Sequence, residues 1–367
     1  MQLTKWVQAK FTGSSGSSGS RRRRRSHSQM DIFFFIGWLM VIAIGFITLL
    51  HYVLGDLLVE LEIVFELQIF RLFLLLPCFF LLLFSLLRAQ FGIAVGAGVI
   101  FFILVLEAWD IRLLPSLPRS VHARSDLRVF TQNVGEKNPP KKWLEWLAEN
   151  PMDIVFFQEI YGPHKALWEE KAGELGYDYV LFEQVRSDAG MGVMIWSKYP
   201  MSGLEPIATN SAGGKKRYFV RGRIEYGRTN IEVIGLHIES FHVDKLGRRN
   251  WISSAPFRLQ QAKAVAAEVA LLKETSNPII VAGDFNSSPE FRSIRSLRAL
   301  LNDAWLEAGN GLGGTFPSFF PLVRIDAILH RGFVADYAQV AYVEDQSDHR
   351  GISAVLNLVG VMESAKQ

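Results

Sequence analysis

The sequence predicts an α/β domain carried behind a three-helix transmembrane region, and three observations predict it. Apolar residues crowd into the first third of the 367-residue chain, in three long runs that hold almost no charge. After about residue 115 the composition becomes that of an ordinary soluble domain, with interspersed charges and regular Gly and Pro. That second part alternates short Val-, Ile- and Phe-rich segments with longer amphipathic ones, the pattern of strands and helices in packed layers. The length leaves room for a large core.

Residues 1–29 read as a disordered linker: a Gly/Ser repeat spans 13–20 and Arg21 to Arg25 follow it. Met30 is an alternative start. Residues 30–110 read as the membrane region. Its runs are 32–54, nearly uncharged; 69–87, with Arg71 near its start; and 91–109, with Glu107 near its end. Each has about the 20 residues that cross a bilayer core of about 30 Å. Buried core helices are the other reading, but three such runs close together would leave no polar face for water. A cleaved signal peptide does not fit, because the first run is long and lacks a small-residue cleavage pattern. Between runs, 55–68 mixes apolar residues with Asp56, Glu60, Glu62 and Glu66; it reads equally as an interfacial amphipathic helix or as a short acidic loop. The basic run before the first span places the N-terminus in the cytoplasm. Three spans then place the domain outside it, as a multi-pass protein of the cell membrane. Residues 111–125 form a linker with Pro and Arg.

The domain covers 126–360, with a tail at 361–367. Segments 127–134, 153–158, 192–197, 218–226, 231–238, 278–282, 324–330 and 352–358 read as strands, short and bounded by turn residues. Segments 141–149, 164–175, 256–275 and 289–301 read as helices. In the third, Leu259, Ala262, Val265, Ala266, Val269 and Leu272 recur at three- and four-residue spacing. The net charge of +3 owes much to the arginine run and says little about the domain's partner. The one cysteine, Cys78, excludes an intrachain disulfide.

The polar residues that stand out lie at predicted strand ends, where loops bring residues together. They are Asn133, Glu159, His237, Asp284, Asn286, Asp326, Asp348 and His349. A carboxylate and an amide at strand ends suit a hard cation such as Mg²⁺, which takes one or two protein carboxylates and keeps several waters. Two histidines and further aspartates supply acid/base groups and phosphate contacts. No Walker A, His-Glu-x-x-His, Cys-pair or Gly-x-Ser-x-Gly motif is present, so a P-loop NTPase, a zincin, a zinc ribbon and an α/β-hydrolase lack support. Singly, each residue has a bland reading as a turn, a cap or a core histidine. The order of the pieces carries more.

That order is Asn, Gln-Glu, a strand His, Gly-Asp-x-Asn, Arg-Ile-Asp and Ser-Asp-His, with Ser-Lys-Tyr-Pro at 197–200. It resembles the endonuclease/exonuclease/phosphatase superfamily over about 126–358, and the three preceding spans resemble its membrane-anchored bacterial type. The resemblance implies a four-layer α/β sandwich of two packed mixed β-sheets flanked by helices. It implies Mg²⁺ (Mn²⁺ is compatible) on Glu159 with Asn133 close by and Asp348 near the metal. It assigns Asp284 to the attacking water, Asn286 to that water or a phosphate oxygen, His349 to the scissile phosphate with Asp326 fixing its ring, and His237 to the charge of the transition state. Two departures stand in the motifs: Leu236 where Thr usually precedes the histidine, and Gln132 before Asn133. Neither removes a catalytic group. The 239–260 stretch, with His242, Arg248, Arg249, Trp251 and Arg258, reads either as a substrate loop or as an ordinary surface loop.

The implied activity is hydrolysis of a phosphodiester or phosphomonoester: a lipid head group, nucleic acid or sugar phosphate. A nuclease is the first alternative, although no strong basic run tracks the domain. An inactive binding module on the same fold is the second. The bilayer is the expected partner, and no protein partner is implied.

Overall fold

The structure, a computed structural model, describes residues 18–53, 71–110, 126–135, 141–185, 190–211, 215–240, 255–272, 275–289, 292–321, 323–344 and 346–359. The chain divides into two units, one built on the N-terminal helices and one from Glu107 onward. The 55–68 segment and the 111–125 linker lie outside the described residues, as does residue 69 at the start of the second run.

The first unit holds α1 (Ser18–Val53), a 3₁₀ turn (Arg71–Leu74), α2 (Leu75–Leu87) and α3 (Phe91–Asp110). Two expectations change here. Helix α1 begins at Ser18, so residues 18–29 are helical where composition reads as a linker. Arginine is a good helix former, and adding residues to a formed helix is easier than nucleating one. Only α1, over Ile32–Leu49, is long and apolar enough to cross a membrane among the described residues; the apolar helices Leu75–Leu87 and Phe91–Leu106 are shorter. The three helices share a core of Val41, Ile44, Cys78, Leu81, Ile93 and Ala97, with others. Glycines permit the close approach. A Cβ at Gly37 would fall 2.8 Å from Ile93, and one at Gly96 would fall 2.9 Å from Val41. The outward faces stay apolar, with Phe35, Ile42, Leu76, Val95 and Phe102 exposed.

The second unit is built on two mixed sheets. Its elements are β1 (Asp126–Asn133), α4 (Lys141–Glu149), β2 (Ile154–Tyr161), α5 (Lys165–Glu174), β3 (Tyr179–Gln184), β4 (Met191–Ser197), β5 (Met201–Gly203), β6 (Ile207–Asn210), β7 (Lys216–Tyr226) and β8 (Thr229–His237). Then come α6 (Ala255–Leu272), β9 (Ile279–Asp284), α7 (Arg292–Arg298), β10 (Asn302–Asp303), α8 (Ala304–Ala308), β11 (Asp326–Arg331), β12 (Phe333–Ala341) and β13 (Gly351–Leu358). One sheet runs β12-β13-β1-β2-β4-β3, the other β10-β11-β9-β8-β7-β5, with β6 beside β7. Within each, one pair is parallel, β1 with β2 and β8 with β9.

Strand alternation sorts the side chains into layers. Leu127, Val129, Ile154, Phe156 and Ile195 of one sheet meet Val220, Ile231, Val233, Ile280 and Ala282 of the other. The opposite faces are covered by helices. Phe130, Val155 and Phe157 pack on Trp143 of α4 and Trp168 of α5. Ile234, Leu236 and Val281 pack on Ala262, Val265 and Val269 of α6. The layers are therefore helix, sheet, sheet, helix. Strands β3, β5, β6, β10 and β12 were not legible in the sequence pattern. Strand β3 is an edge strand with no fully buried residue, and the alternation of β12 is broken by a register shift at Ala335/Tyr337.

Candidate active site

The pairing register places three site residues in a single row. In the second sheet His237 of β8 lies beside Asp284 of β9, and Asp284 lies opposite Asp326 of β11. Cross-strand neighbours point to one face, so register alone gathers an imidazole and two carboxylates. The first sheet supplies Asn133 at the end of β1 and Glu159 from β2. Glu159 differs from the expectation that it ends a strand. It sits inside β2, where the register shifts between Phe157 and Ile160, with φ 61°. A bulge re-aims one side chain, and here it turns Glu159 out of the strand's alternation.

Asn133 ties the two sheets together. Its amide Nδ2 donates to Glu159 Oε1 at 3.0 Å and to Asp284 Oδ2 at 3.0 Å, and its Oδ1 accepts from Gly135 N at 3.0 Å. Asn286 also adopts a positive φ, 46°. Its N–H donates to Asp284 Oδ1 at 2.8 Å, and its Nδ2 donates to Ile238 O at 3.0 Å and Asp284 Oδ2 at 3.2 Å. Such an Asx turn tolerates the left-handed conformation. His349 Nδ1 is 2.9 Å from Asp326 Oδ2, and its Nε2 faces Asp284 Oδ2 at 3.9 Å. His237 Nε2 lies 3.6 Å from Glu159 and 3.8 Å from Asp284.

All eight residues singled out from the sequence come to this one region. Asp348 is its exposed member; a Cβ at Gly135 would lie 3.7 Å from Asp348 Oδ1, so this carboxylate faces the turn after Asn133. Arg258 departs from the loop reading: it lies on α6 and is buried. His242, Arg248, Arg249 and Trp251 lie outside the described residues.

Burial dominates the electrostatics. It pushes the Asp284 carboxyl up to about 7; His349, the Asn286 N–H and the Asn133 amide oppose the rise, and Asp326 adds to it. Burial also drives His237 well below the usual imidazole range, helped by Arg217 and His349. For His349 burial works against the cation, but Asp326, Asp284 and Asp348 outweigh it and bring the ring up to about 10. The site thus holds a neutral histidine and a cationic one, separated by a carboxylate.

The donor set fits a hard divalent cation. Glu159 and Asp348 offer carboxylate oxygen, and Asn133 an amide oxygen that here accepts from Gly135 N while its Nδ2 faces Glu159. Among the described residues His237 is buried with no hydrogen-bond partner on either ring nitrogen, its Nε2 beside two carboxylates. An unpaired buried polar group of this kind marks a place for a ligand or ion. Asp284, Asp326 and His349 also bring ligand atoms within 4.8 Å of one another. There the short Asp326–His349 contact already engages one nitrogen, leaving Nε2 toward Asp284.

Supporting residues went unrecognised in the sequence. Ser347 Oγ donates to Asn133 O at 2.7 Å and accepts from His349 N at 3.0 Å. Thr315 Oγ1 accepts from Ile325 N at 3.0 Å and Asp326 N at 3.3 Å. Phe316 packs 5.1 Å from the His349 ring. Ser347 belongs to the Ser-Asp-His motif, which was the available signal; Thr315 and Phe316 stand in a Gly-rich stretch without one.

Comparison with known proteins agrees with this arrangement. Residues 130–349 match the model of the Endonuclease/Exonuclease/phosphatase family. A solved endonuclease/exonuclease/phosphatase from Beutenbergia cavernae is 20% identical, with TM-score 0.52 over 64% of this chain and 72% of that one. Another from Bacteroides vulgatus is 18% identical, with TM-score 0.51 over 64% of this chain and 100% of that one. At these identities the structures speak for the fold alone. Among curated proteins no sequence matches. The family match spans more than half of the chain, and with it the chain belongs to the endonuclease/exonuclease/phosphatase family.

Proposed function

We propose that this protein is a membrane-anchored, Mg²⁺-dependent phosphoesterase that hydrolyses a phosphodiester or phosphomonoester by attack of water. The observation that carries the reading is the meeting of Asn133 and Glu159 from one sheet with the His237, Asp284, Asp326 row of the other and with His349. Asp284, whose carboxyl burial raises, takes the proton of the attacking water. Asn286 holds that water or a phosphate oxygen. His349, kept cationic by Asp326, contacts the scissile phosphate, and neutral His237 stabilises charge developing on it. Glu159, Asn133 and Asp348 are the residues that would hold Mg²⁺ or Mn²⁺. The bound ion would supply Lewis-acid polarisation of phosphate oxygens. Candidate substrates are lipid head groups, nucleic acid and sugar phosphates.

Metal removal tests this reading. The purified full chain should lose hydrolysis in EDTA and regain it with Mg²⁺ or Mn²⁺. Full activity in EDTA, or recovery with Zn²⁺ alone, would contradict it.

The anchor rests on the apolar exterior of the first unit. Helices that bury small residues against one another and expose Phe, Ile and Leu outward suit lipid rather than water. We read three spans, with α2 and α3 crossing after α1. The N-terminus lies in the cytoplasm, since Arg21–Arg25 precede the first span and Arg88 lies between the second and third. Arg112, Arg119 and Arg124 after the third span weigh the other way. An alkaline phosphatase fusion after Leu358 should therefore be active and a green fluorescent protein fusion there dark. The opposite pattern would put the domain in the cytoplasm.

A further inference from the structure

Among the described residues no large apolar side chain is more exposed than Phe319, at 82%, and Phe320 beside it is 62% exposed. They form the tip of the segment 315–321, between Pro317 and Pro321. Scattered exposed hydrophobics need no explanation, but two adjacent phenylalanines on a segment bonded to the loop of Asp348 and His349 are a different case.

This segment is fastened to the loop that carries Asp348 and His349. Ser318 N donates to Asp348 O at 2.7 Å, and Ser318 Oγ donates to Ser347 O at 2.7 Å. Arg350 N donates to Thr315 O at 2.8 Å, and Arg350 Nε donates to Ser318 O at 2.7 Å. The guanidinium also lies over the Tyr342 ring, 4.5 Å from its centroid. One residue before Pro317, Phe316 packs on the His349 ring. The exposed pair is thus held to the loop that carries His349, three and four residues beyond the ring that touches it.

We propose that Phe319 and Phe320 form an apolar shelf that takes the aliphatic part of the substrate, so that the site acts on an amphiphilic phosphate ester. The inference rests on the phosphoesterase reading above in one respect only, that phosphate binds at His349. Burying alkyl carbon against exposed phenylalanine removes two apolar surfaces from water at once. A nucleobase would also stack on phenylalanine, but a nucleic-acid groove needs cations along the backbone. The stretch 309–323 contains no Lys, Arg, Asp or Glu, and the cation bonded to it, Arg350, is engaged by Ser318 O and the Tyr342 ring. An uncharged apolar tip favours a hydrocarbon chain.

The test uses the full chain in lipid nanodiscs, with methyl phosphate and hexyl phosphate as probes in calorimetric titrations. Each methylene that is buried strengthens binding by up to about fourfold, so wild type should bind hexyl phosphate at least ~10-fold more tightly than methyl phosphate. The double variant Phe319→Ser/Phe320→Ser should lose that preference, and Phe319→Leu/Phe320→Leu should keep it. An equal preference in wild type and the serine variant would overturn the proposal, as would no preference in either. Tighter binding of a short oligothymidylate than of hexyl phosphate, lost in both variants, would assign the shelf to nucleic acid instead and also overturn it. Turnover is read separately with hexyl and methyl p-nitrophenyl phosphodiesters in Mg²⁺. A chain-length preference in binding without any turnover would refute the catalytic reading while leaving the shelf in place.

Discussion

Asp284→Ala and His349→Gln each lower kcat by at least ~10²-fold, the usual scale for losing a general base or a transition-state contact. Both variants remain folded. Asp284 is a carboxylate that burial already disfavours, so its removal relieves a desolvation cost. Glutamine at 349 retains a donor for the Asp326 carboxylate, which is fully buried and 2.9 Å from the native ring. Single-turnover kinetics with the thermal unfolding curve of each variant check the expectation. Near wild-type kcat in either variant, on a substrate the wild type turns over well, would remove that residue from its assigned role.

Gly283→Ala carries the largest expected effect on stability. Gly283 immediately precedes Asp284 and has φ 147°, a conformation that L-residues with a side chain rarely adopt. It lies beside Leu236 in the parallel pairing of β8 and β9. A Cβ there would fall 2.0 Å from the Leu236 carbonyl oxygen and 2.9 Å from its carbon. Both atoms belong to the backbone of a central strand and have no rotamer by which to move aside. Parting the two strands would disturb the ladder that aligns His237 with Asp284. The loss is on the order of 3 kcal/mol or more, from backbone strain and overpacking together. Chemical denaturation of the full chain in detergent would read it as a lower midpoint, and a midpoint equal to wild type would mean that the strands part without cost.

The second sheet's row was legible because β8 and β9 each carry a buried Ile- and Val-rich run that ends on its site residue, His237 or Asp284, while Asp326 opens the buried apolar run of β11. Pattern alone located His237, Asp284 and Asp326, and family order supplied their roles. The bulge at Glu159 was not legible. Its positive φ is a product of pairing with β4 rather than of any glycine or turn signal in Gln-Glu-Ile-Tyr. The phenylalanine pair between Pro317 and Pro321 carries no pattern of its own, and its exposure among the described residues is visible only in the packed fold. Helix α1 starts at Ser18, ahead of its apolar run, because a formed helix extends into neighbours that tolerate it, which local composition does not show.

The most direct measurement compares the purified full chain with Glu159→Ala on DNA, RNA, sphingomyelin, a phosphoinositide and a chromogenic phosphodiester, each with Mg²⁺ and with EDTA. Wild type should hydrolyse at least one of them with Mg²⁺ and none in EDTA. Glu159→Ala should fall by at least ~10²-fold on that substrate while its unfolding midpoint is preserved. Hydrolysis by Glu159→Ala at the wild-type rate would contradict the site, and no hydrolysis of any substrate by wild type would leave the fold as a binding module.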